Sequence, residues 1–331
     1  MASISSTPGD IKKKEVFGRQ TLLNIIKSRN LFLVIMIILM ILALTSVSSS
    51  FLSYRNIMAL ASNEAVKGFV LVGVLLLLIT GEFDLTVGAG MALVGVTMAW
   101  VSSQTNLAVG IMVGSAVGLL IGLINGLLVT KLKMASFIAT LGIMNMARSL
   151  CNVITQGKAI PLNQPKIVDF FNQYILGLPI TFIMLVIFVI VMGIILAKHK
   201  YFRGLFYSGI NDRGAQMVGV NTNRLRWGMF IFSGLMIAIG GVFYTSMLSA
   251  AVPLGFSGLE MTMIAMAVIG GASLKGGQGT VIGCMLGLIL ITLVGNAMTI
   301  IGISPQWSGA ILGVILILAS ILDVTLQNRT E

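Results

Sequence analysis

Long, nearly uncharged apolar segments are the feature that most limits what this chain of 331 residues can fold into. A helix needs about 20 mostly apolar residues to cross the hydrocarbon core of a bilayer. Ten such segments follow one another along the chain, with polar residues gathered between them. Only 9% of the residues are charged, whereas soluble domains contain about a quarter. The sequence therefore predicts an integral membrane protein.

The predicted fold class is all-α, a polytopic transmembrane helical bundle. Backbone groups in a bilayer must find hydrogen bonds within their own segment, and the alternating pattern of a β-barrel is absent. One transmembrane domain is predicted at residues 30–325, between an N-terminal tail, 1–29, and a C-terminal tail, 326–331. The ten predicted spans are 30–48, 58–80, 86–103, 107–130, 135–155, 179–197, 227–249, 259–274, 279–300 and 307–325.

Lysine and arginine predict the orientation, because cytoplasmic loops carry an excess of both. With both termini inside, sixteen of the 21 lysines and arginines fall on the inner side. The long connection 198–226 is then internal and strongly basic, and the other long connection, 156–178, is external. Because the basic residues lie in loops between spans, we expect membrane lipid rather than nucleic acid as their partner.

Several kinds of site are not expected in this chain. Cys151 and Cys284 are far apart in apolar segments, which is typical of small core residues rather than of a disulfide. His199 is the only histidine, so a histidine-based metal cluster is excluded. No GxxxxGK[ST] motif for binding nucleotide phosphates occurs. We therefore expect no catalytic residue, no metal and no cofactor on this chain, and energy supplied by another chain or by an ion gradient.

Glycines recur at steps of four in the fourth span. The row comprises Gly110, Gly114, Gly118, Gly122 and Gly126. Small residues at this spacing let helix backbones approach closely in lipid. The pattern predicts close helix packing.

Two connections between spans are unusually rich in glycine, residues 81–90 and residues 270–279. Shifted by 189 positions, Leu85, Gly88 and Gly90 of the first fall on leucine and glycines of the second. Each is predicted to follow an inward span and precede an outward one. The match suggests a same-orientation internal repeat of the kind found in transporters, although glycine-rich sequence also produces such matches.

Glu82 and Asp84 are carboxylates between two long apolar segments. Ionisable groups at membrane depth often mark a substrate or ion path. The residues alone equally allow a structural role, in which the carboxylates lie among lipid headgroups or cap the third span. We take Glu82, Asp84, Gly88 and Ser273 as the candidate translocation path or gate.

Other charged residues near the spans have simpler interpretations. Glu64 and Lys67 are three residues apart near the predicted outer end of the second span, a spacing that suits a local ion pair. Arg148 lies near the outer end of the fifth span, where its side chain can extend to the interface.

The segment Gly81-Glu-Phe-Asp-Leu-Thr-Val-Gly-Ala-Gly90 resembles the Gly-Gly-Ile-Asp-Leu-Ser-Val-Gly segment of bacterial sugar permeases from ATP-binding-cassette importers. These are the membrane subunits of the ribose, xylose, arabinose, galactose and autoinducer-2 systems. Further similarity lies at 135–142, 269–279 and 302–305, so the resemblance runs in order from about residue 55 to Asp323. Glu82 stands where the family commonly has glycine, whereas Asp84 keeps the acidic position.

The resemblance implies a permease subunit that is not itself an enzyme and lies in the bacterial inner membrane. It implies a second permease copy or close paralogue, two cytoplasmic ATPase subunits that use ATP and Mg, and a periplasmic solute-binding protein. It also places the segment that couples to the ATPase at 208–220, within the loop 198–226. The coupling residues predicted there are Asn211, Asp212, Arg213, Ala215, Met217, Val218 and Gly219.

Within that loop, Asn211 is a suitable helix N-cap and Asp212 a suitable first-turn residue. Ala215, Met217 and Val218 are expected to form a small apolar patch on one short helix ended by Gly219. The alternative is a solvated basic loop that contacts anionic lipid.

The predicted function is transport of a monosaccharide or similar small polar solute into the cytoplasm by alternating access, driven by ATP on a partner. One alternative is a proton-coupled secondary transporter that uses Glu82 or Asp84. Another is a facilitator without energy coupling. The solute itself and the choice between homodimer and heterodimer are not readable from these residues.

Overall fold

The computed structural model describes residues 29–304, together with 307, 309–311, 313, 314 and 317. The predicted N-terminal tail up to residue 28, the C-terminal tail and most of the tenth predicted span lie outside the described residues. The predicted domain boundaries there stay predictions.

The described chain is mostly helical. Eight of its helices are long and apolar enough to cross a membrane, so the chain is a multi-pass membrane protein. These are α1 (Arg29–Val47), α2 (Tyr54–Ile79), α3 (Val87–Gln104), α4 (Leu107–Thr130), α5 (Ser136–Thr155), α7 (Ile180–Lys198), α10 (Thr222–Leu248) and α12 (Val281–Ile301). The shorter helices are α6 (Pro165–Phe171), α8 (Lys200–Ile210), α9 (Asp212–Met217) and α11 (Leu259–Ile269).

Eight predicted spans coincide with these eight long helices, with ends that shift by up to five residues. The predicted span 259–274 was too long, because α11 has only eleven residues and ends before Gly270 and Gly271. The first residues of α10 were predicted as loop. The helix begins at Thr222 because the side chain of Asn221 accepts a hydrogen bond from the backbone N–H of Arg224 at 3.0 Å.

The loop 198–226, predicted to be internal, was also predicted with one short helix, whereas the chain folds into two, α8 and α9. The connection 156–178, predicted to be external, contains α6 and short two-residue strands. These are β1 (Ile160–Pro161), β2 (Tyr174–Ile175) and β3 (Leu178–Pro179), and a fourth, β4 (Ala250–Ala251), follows α10. Strands β1 and β4 pair antiparallel, as do β2 and β3.

The connections gather at two ends of the bundle. At one end, β1 pairs with β4 and the Tyr54 hydroxyl donates to the carbonyl of Gly177 at 2.6 Å. At the other, which we call the basic end, the Gly277 N–H donates to Ile79 O at 2.8 Å, and Lys133 Nζ donates to Asn223 Oδ1 at 2.8 Å. The connections predicted to be internal therefore share one end, and those predicted to be external share the other.

Helices α2, α3 and α10 form the enclosed centre of the bundle, whereas α1, α4, α5 and α7 expose many apolar side chains. The glycine row of α4 packs as predicted. Gly118 lies against Ala238 of α10, and Gly122 lies against Gly234, so the two backbones touch with no side chain between them. Cys151 and Cys284 are buried free thiols, as predicted.

Adding a methyl group at Gly122 tests this packing. The new Cβ would overlap the carbonyl oxygen of Phe230, so we expect Gly122→Ala to lower the free energy of unfolding in mixed micelles by about 1–3 kcal/mol. Gly193→Ala is the matched control, because nothing lies within 4 Å of its added Cβ. Equal stability of the two variants would contradict the packing.

Candidate functional site

Asp84 lies in the irregular connection between α2 and α3 and is buried, with 2% of its surface exposed. Its Oδ1 accepts a hydrogen bond from the backbone N–H of Thr86 at 2.9 Å and another from the Thr86 hydroxyl. Its Oδ2 accepts from the Ser233 hydroxyl of α10 at 2.7 Å. Both carboxylate oxygens are therefore occupied within the protein.

This hydrogen-bond network reaches a third helix. The side-chain amide of Asn125 on α4 donates to the Thr86 hydroxyl oxygen at 3.1 Å. Asp84 thus ties the start of α3 to α4 and α10. Of the two interpretations that the sequence leaves open, this geometry favours the structural one for Asp84, since the carboxylate holds the start of a helix.

Glu82 lies nearer the basic end and belongs to a row of charges. Its Oε1 is 3.3 Å from Arg226 Nε at the start of α10, and Arg226 Nη2 is 3.2 Å from Asp212 Oδ1 of α9. One arginine therefore joins the candidate gate to the predicted coupling segment. The sequence pattern does not reveal this, because 144 residues separate Glu82 from Arg226.

Burial raises the pKa of Glu82 above its ordinary value. The Ser136 hydroxyl and the Arg226 guanidinium lower this pKa, and the Asp212 carboxylate raises it again. The raised pKa indicates that Arg226 does not fully offset the loss of water around Glu82.

Gly88 lies in the first turn of α3, where the backbone between α10 and α11 approaches closely. A Cβ at Gly88 would overlap the carbonyl oxygen of Phe256 and lie 2.9 Å from Glu260 Oε2. Glu260 is in the first turn of α11, and this oxygen is buried without a hydrogen-bond partner among the described residues. The sequence reasoning missed Glu260, although it is an acidic residue at the start of an apolar span.

Ser273 is buried in the second irregular connection. Its N–H donates to Gln278 O at 3.2 Å and its hydroxyl accepts from the Lys275 N–H at 3.2 Å, so it shapes a tight loop. The two irregular connections meet, but their backbones differ. Gly277 and Gly279 have positive φ, whereas Gly88 and Gly90 are helical, so the matched positions of the suggested repeat do not share a conformation.

Helix α8 is wedged against both irregular connections. A Cβ at Gly209, near the end of α8, would overlap Ile79 O and Gly277 N, and one at Gly276 would lie 2.9 Å from Gly81 N. Only glycine at position 209 allows three backbone segments to touch. Helix α8 is therefore in backbone contact with the end of α2, just before the connection that holds Glu82, and with the connection that holds Ser273.

Helix α9 begins as predicted, since Asn211 Oδ1 accepts from the Gly214 N–H at 2.9 Å and Asp212 is in the first turn. The helix ends at Met217, and Gly219 follows with a φ of +83°. Met217 and Val218 are 88% and 75% exposed. Ala215 is only 3% exposed, so it packs inward and is not part of the predicted apolar patch. Arg213 is exposed.

Glu64 and Lys67 form the predicted ion pair, with Lys67 Nζ 2.6 Å from Glu64 Oε1. The predicted position was wrong, because α2 begins at Tyr54 rather than at residue 58. The pair therefore lies near the middle of a 26-residue helix. Arg148 donates to the carbonyls of Pro253 and Gly255 in the connection between α10 and α11, at 3.3 and 2.7 Å.

A bundle of apolar helices with two carboxylates at a glycine-rich break is common in membrane transport proteins. The chain belongs to the family described as branched-chain amino acid transport system / permease component, whose model matches residues 56–320. It is therefore a transport permease subunit rather than an enzyme.

Three relatives show the extent of the similarity. The probable ABC transporter permease protein YphD of Escherichia coli (strain K12) is 31% identical over 319 residues, covering 96% of each chain. The ribose import permease protein RbsC of Bacillus subtilis (strain 168) is 33% identical, covering 86% of this chain and 89% of the relative. The L-arabinose transport system permease protein AraH of Escherichia coli (strain K12) is 34% identical, covering 83% and 84%. No solved structure matches the chain.

Removing the Asp84 carboxylate tests its structural role. Asp84→Ala leaves the Thr86 and Ser233 donors without an acceptor, and each unsatisfied buried group costs roughly 1–3 kcal/mol. We expect a large fall in the free energy of unfolding in mixed micelles and a smaller one for Ser233→Ala. The double variant should be no less stable than Asp84→Ala, because Ser233 acts through Asp84. Additive losses would contradict the network.

Proposed function

We propose that this chain is the permease subunit of an ATP-binding-cassette importer that moves a monosaccharide into the cytoplasm by alternating access. The observation that carries the proposal is the row Glu82–Arg226–Asp212, which connects the irregular connection after α2 to α9. Such a row allows a movement imposed on the short helices at the basic end to reach the centre of the bundle.

The substrate class is inferred from the relatives. RbsC is named for ribose and AraH for L-arabinose, and each matches more than four fifths of this chain. The family description names branched-chain amino acid transport instead. We favour a monosaccharide because these long matches to sugar permeases support it, as do the motifs at 81–90 and 269–279.

The proposed partners are two cytoplasmic ATPase subunits that use ATP and Mg, a periplasmic solute-binding protein, and a second permease copy or close paralogue. The ATPase would bind at α8 and α9. Met217 and Val218 are apolar and almost fully exposed there, next to Asp212 of the charge row. Exposed apolar side chains beside charged residues are typical of a protein interface.

The proposed orientation places the basic end in the cytoplasm of a bacterial inner membrane, with ten spans and both termini inside. Lysine and arginine are concentrated at this end, as they are in cytoplasmic loops. The tenth span lies mostly outside the described residues, and α11 with the irregular residues before it would form the eighth.

The proton-coupled alternative finds little support in the geometry. A proton carrier needs a carboxylate that changes partners, whereas both oxygens of Asp84 accept hydrogen bonds and Glu82 lies beside Arg226. We propose instead that Glu82, Gly88 and Ser273 form a gate that responds to α8 and α9, and that Asp84 holds its framework.

Energy dependence tests the proposed function. In proteoliposomes that contain the permease, its cognate ATPase and its binding protein, we expect ribose or L-arabinose uptake to require ATP and to persist with a protonophore. Uptake that continues without the ATPase, or that a protonophore abolishes while ATP remains, would contradict the importer.

Adding charge to the exposed pair on α9 tests the docking site. Met217→Glu with Val218→Glu should reduce co-purification of the ATPase by at least tenfold, because desolvating a carboxylate at an apolar interface is unfavourable. Lys200→Gln on α8 is the control and should retain the ATPase. Ala215→Glu is unsuitable, since Ala215 is buried and the change would disturb folding. If the double variant co-purifies with the ATPase and supports uptake as well as the unchanged protein does, the ATPase does not dock on α9.

A further inference from the structure

A pocket of about 260 Å³ lies between α2, α11 and α12. It is separate from the charge row and from the Asp84 network. Polar side chains from all three helices line it, together with Ile311 and other apolar side chains. The polar residues that matter here are Glu64, Lys67, Thr262, Asn296 and Thr299.

The Glu64–Lys67 ion pair lines this pocket. Glu64 and Lys67 are the eleventh and fourteenth of the 26 residues of α2, near the middle of a helix long and apolar enough to cross a membrane. Charged side chains at this depth are expensive, and they almost always face a protein interior or a water-filled cavity rather than lipid. The pocket therefore places an ion pair, together with hydroxyl and amide groups, among apolar side chains such as Leu60, Met266 and Ile291.

The pocket offers hydrogen-bonding groups of both kinds. Glu64 Oε2 is buried and has no hydrogen-bond partner among the described residues. Lys67 uses one of its three donors on Glu64 Oε1, which leaves two for other groups as far as the described residues show. The side-chain amides of Asn56 and Asn296 donate to each other at 3.2 and 3.1 Å, which leaves a second Asn296 N–H.

Two hydroxyl groups add acceptors. Thr262 donates to Gly258 O at 3.0 Å and Thr299 donates to Gly295 O at 3.1 Å. Each hydroxyl oxygen keeps lone pairs that can accept a hydrogen bond. The pocket therefore contains acceptors and donors side by side, with one negative and one positive charge.

We propose that this pocket is a binding site for a small, uncharged, polyhydroxylated solute on its way through the membrane. Each hydroxyl of such a solute both donates and accepts, which matches the mixed lining. The balanced charge gives no preference for an ion, and the buried Glu64 oxygen, which has no hydrogen-bond partner in the described part of the chain, disfavours an apolar ligand. The volume is below the 300–1,000 Å³ range of drug-sized sites, in keeping with a monosaccharide.

This inference rests on the proposed function, and thiol protection tests it separately. Thr299→Cys is introduced into a chain that carries Cys151→Ala and Cys284→Ala, and the permease is reconstituted without its partners. We expect ribose, or L-arabinose, to slow alkylation by N-ethylmaleimide at least threefold in a saturable manner. Glycine betaine at equal osmolarity, which has no hydroxyl groups, should leave the rate unchanged.

Charge removal distinguishes a binding site from a structural ion pair. Glu64→Gln with Lys67→Met removes both charges and leaves neither unpaired, and such replacement of a buried pair is often neutral for stability. We expect the double variant to insert normally and to lose the protection by sugar. Thr97→Val is the control, because Thr97 bonds to its own helix and does not line the pocket.

Two results would overturn the proposal. One is an alkylation rate that neither sugar changes, and the other is full protection in the double variant. Protection is measured on the permease without the ATPase. If the complete system takes up sugar with ATP but sugar does not protect the cysteine from alkylation, only the pocket proposal is wrong. Protection without ATP-driven uptake would overturn the importer and support the pocket.

Discussion

The structure depends on one constraint, which is that a polar group inside a bilayer must find its partner within the protein. Asp84 meets this constraint most fully, because Thr86 and Ser233 together occupy both of its oxygens. The same carboxylate fixes the start of α3 against α10. Asp84 and Arg226 thus join segments that are distant in sequence.

Close backbone contact is the second means by which the helices are joined. Gly122 and Gly234 bring α4 and α10 together without intervening side chains, and Gly209 brings α8 onto both irregular connections. Helices packed in this way have little side-chain volume between them. The row Glu82–Arg226–Asp212 runs beside this contact. Backbone packing and ion pairs thus both connect the short helices α8 and α9 to the region where α2 ends.

Much of the fold could be predicted from the sequence, because the length of an apolar segment and the position of a helix cap are local properties. The span 107–130 and the N-cap at Asn211 are examples. The short α11 was mispredicted because the apolar run hides where the helix ends. The middle position of Glu64 was missed for a similar reason, since the polar first turns of α2 look like a loop.

The sequence by itself determined the class of protein, the long helices and the two sets of connections, because hydropathy, glycine spacing and basic residues act locally along the chain. Only the tertiary structure decided which residues share a site. Arg226 reaches Glu82 across 144 positions, and Ser233 reaches Asp84 across 149. Ala215 faces inward because of how α9 lies on the bundle. These contacts depend on helix packing in three dimensions, and no local pattern encodes which distant partner a buried charge will find.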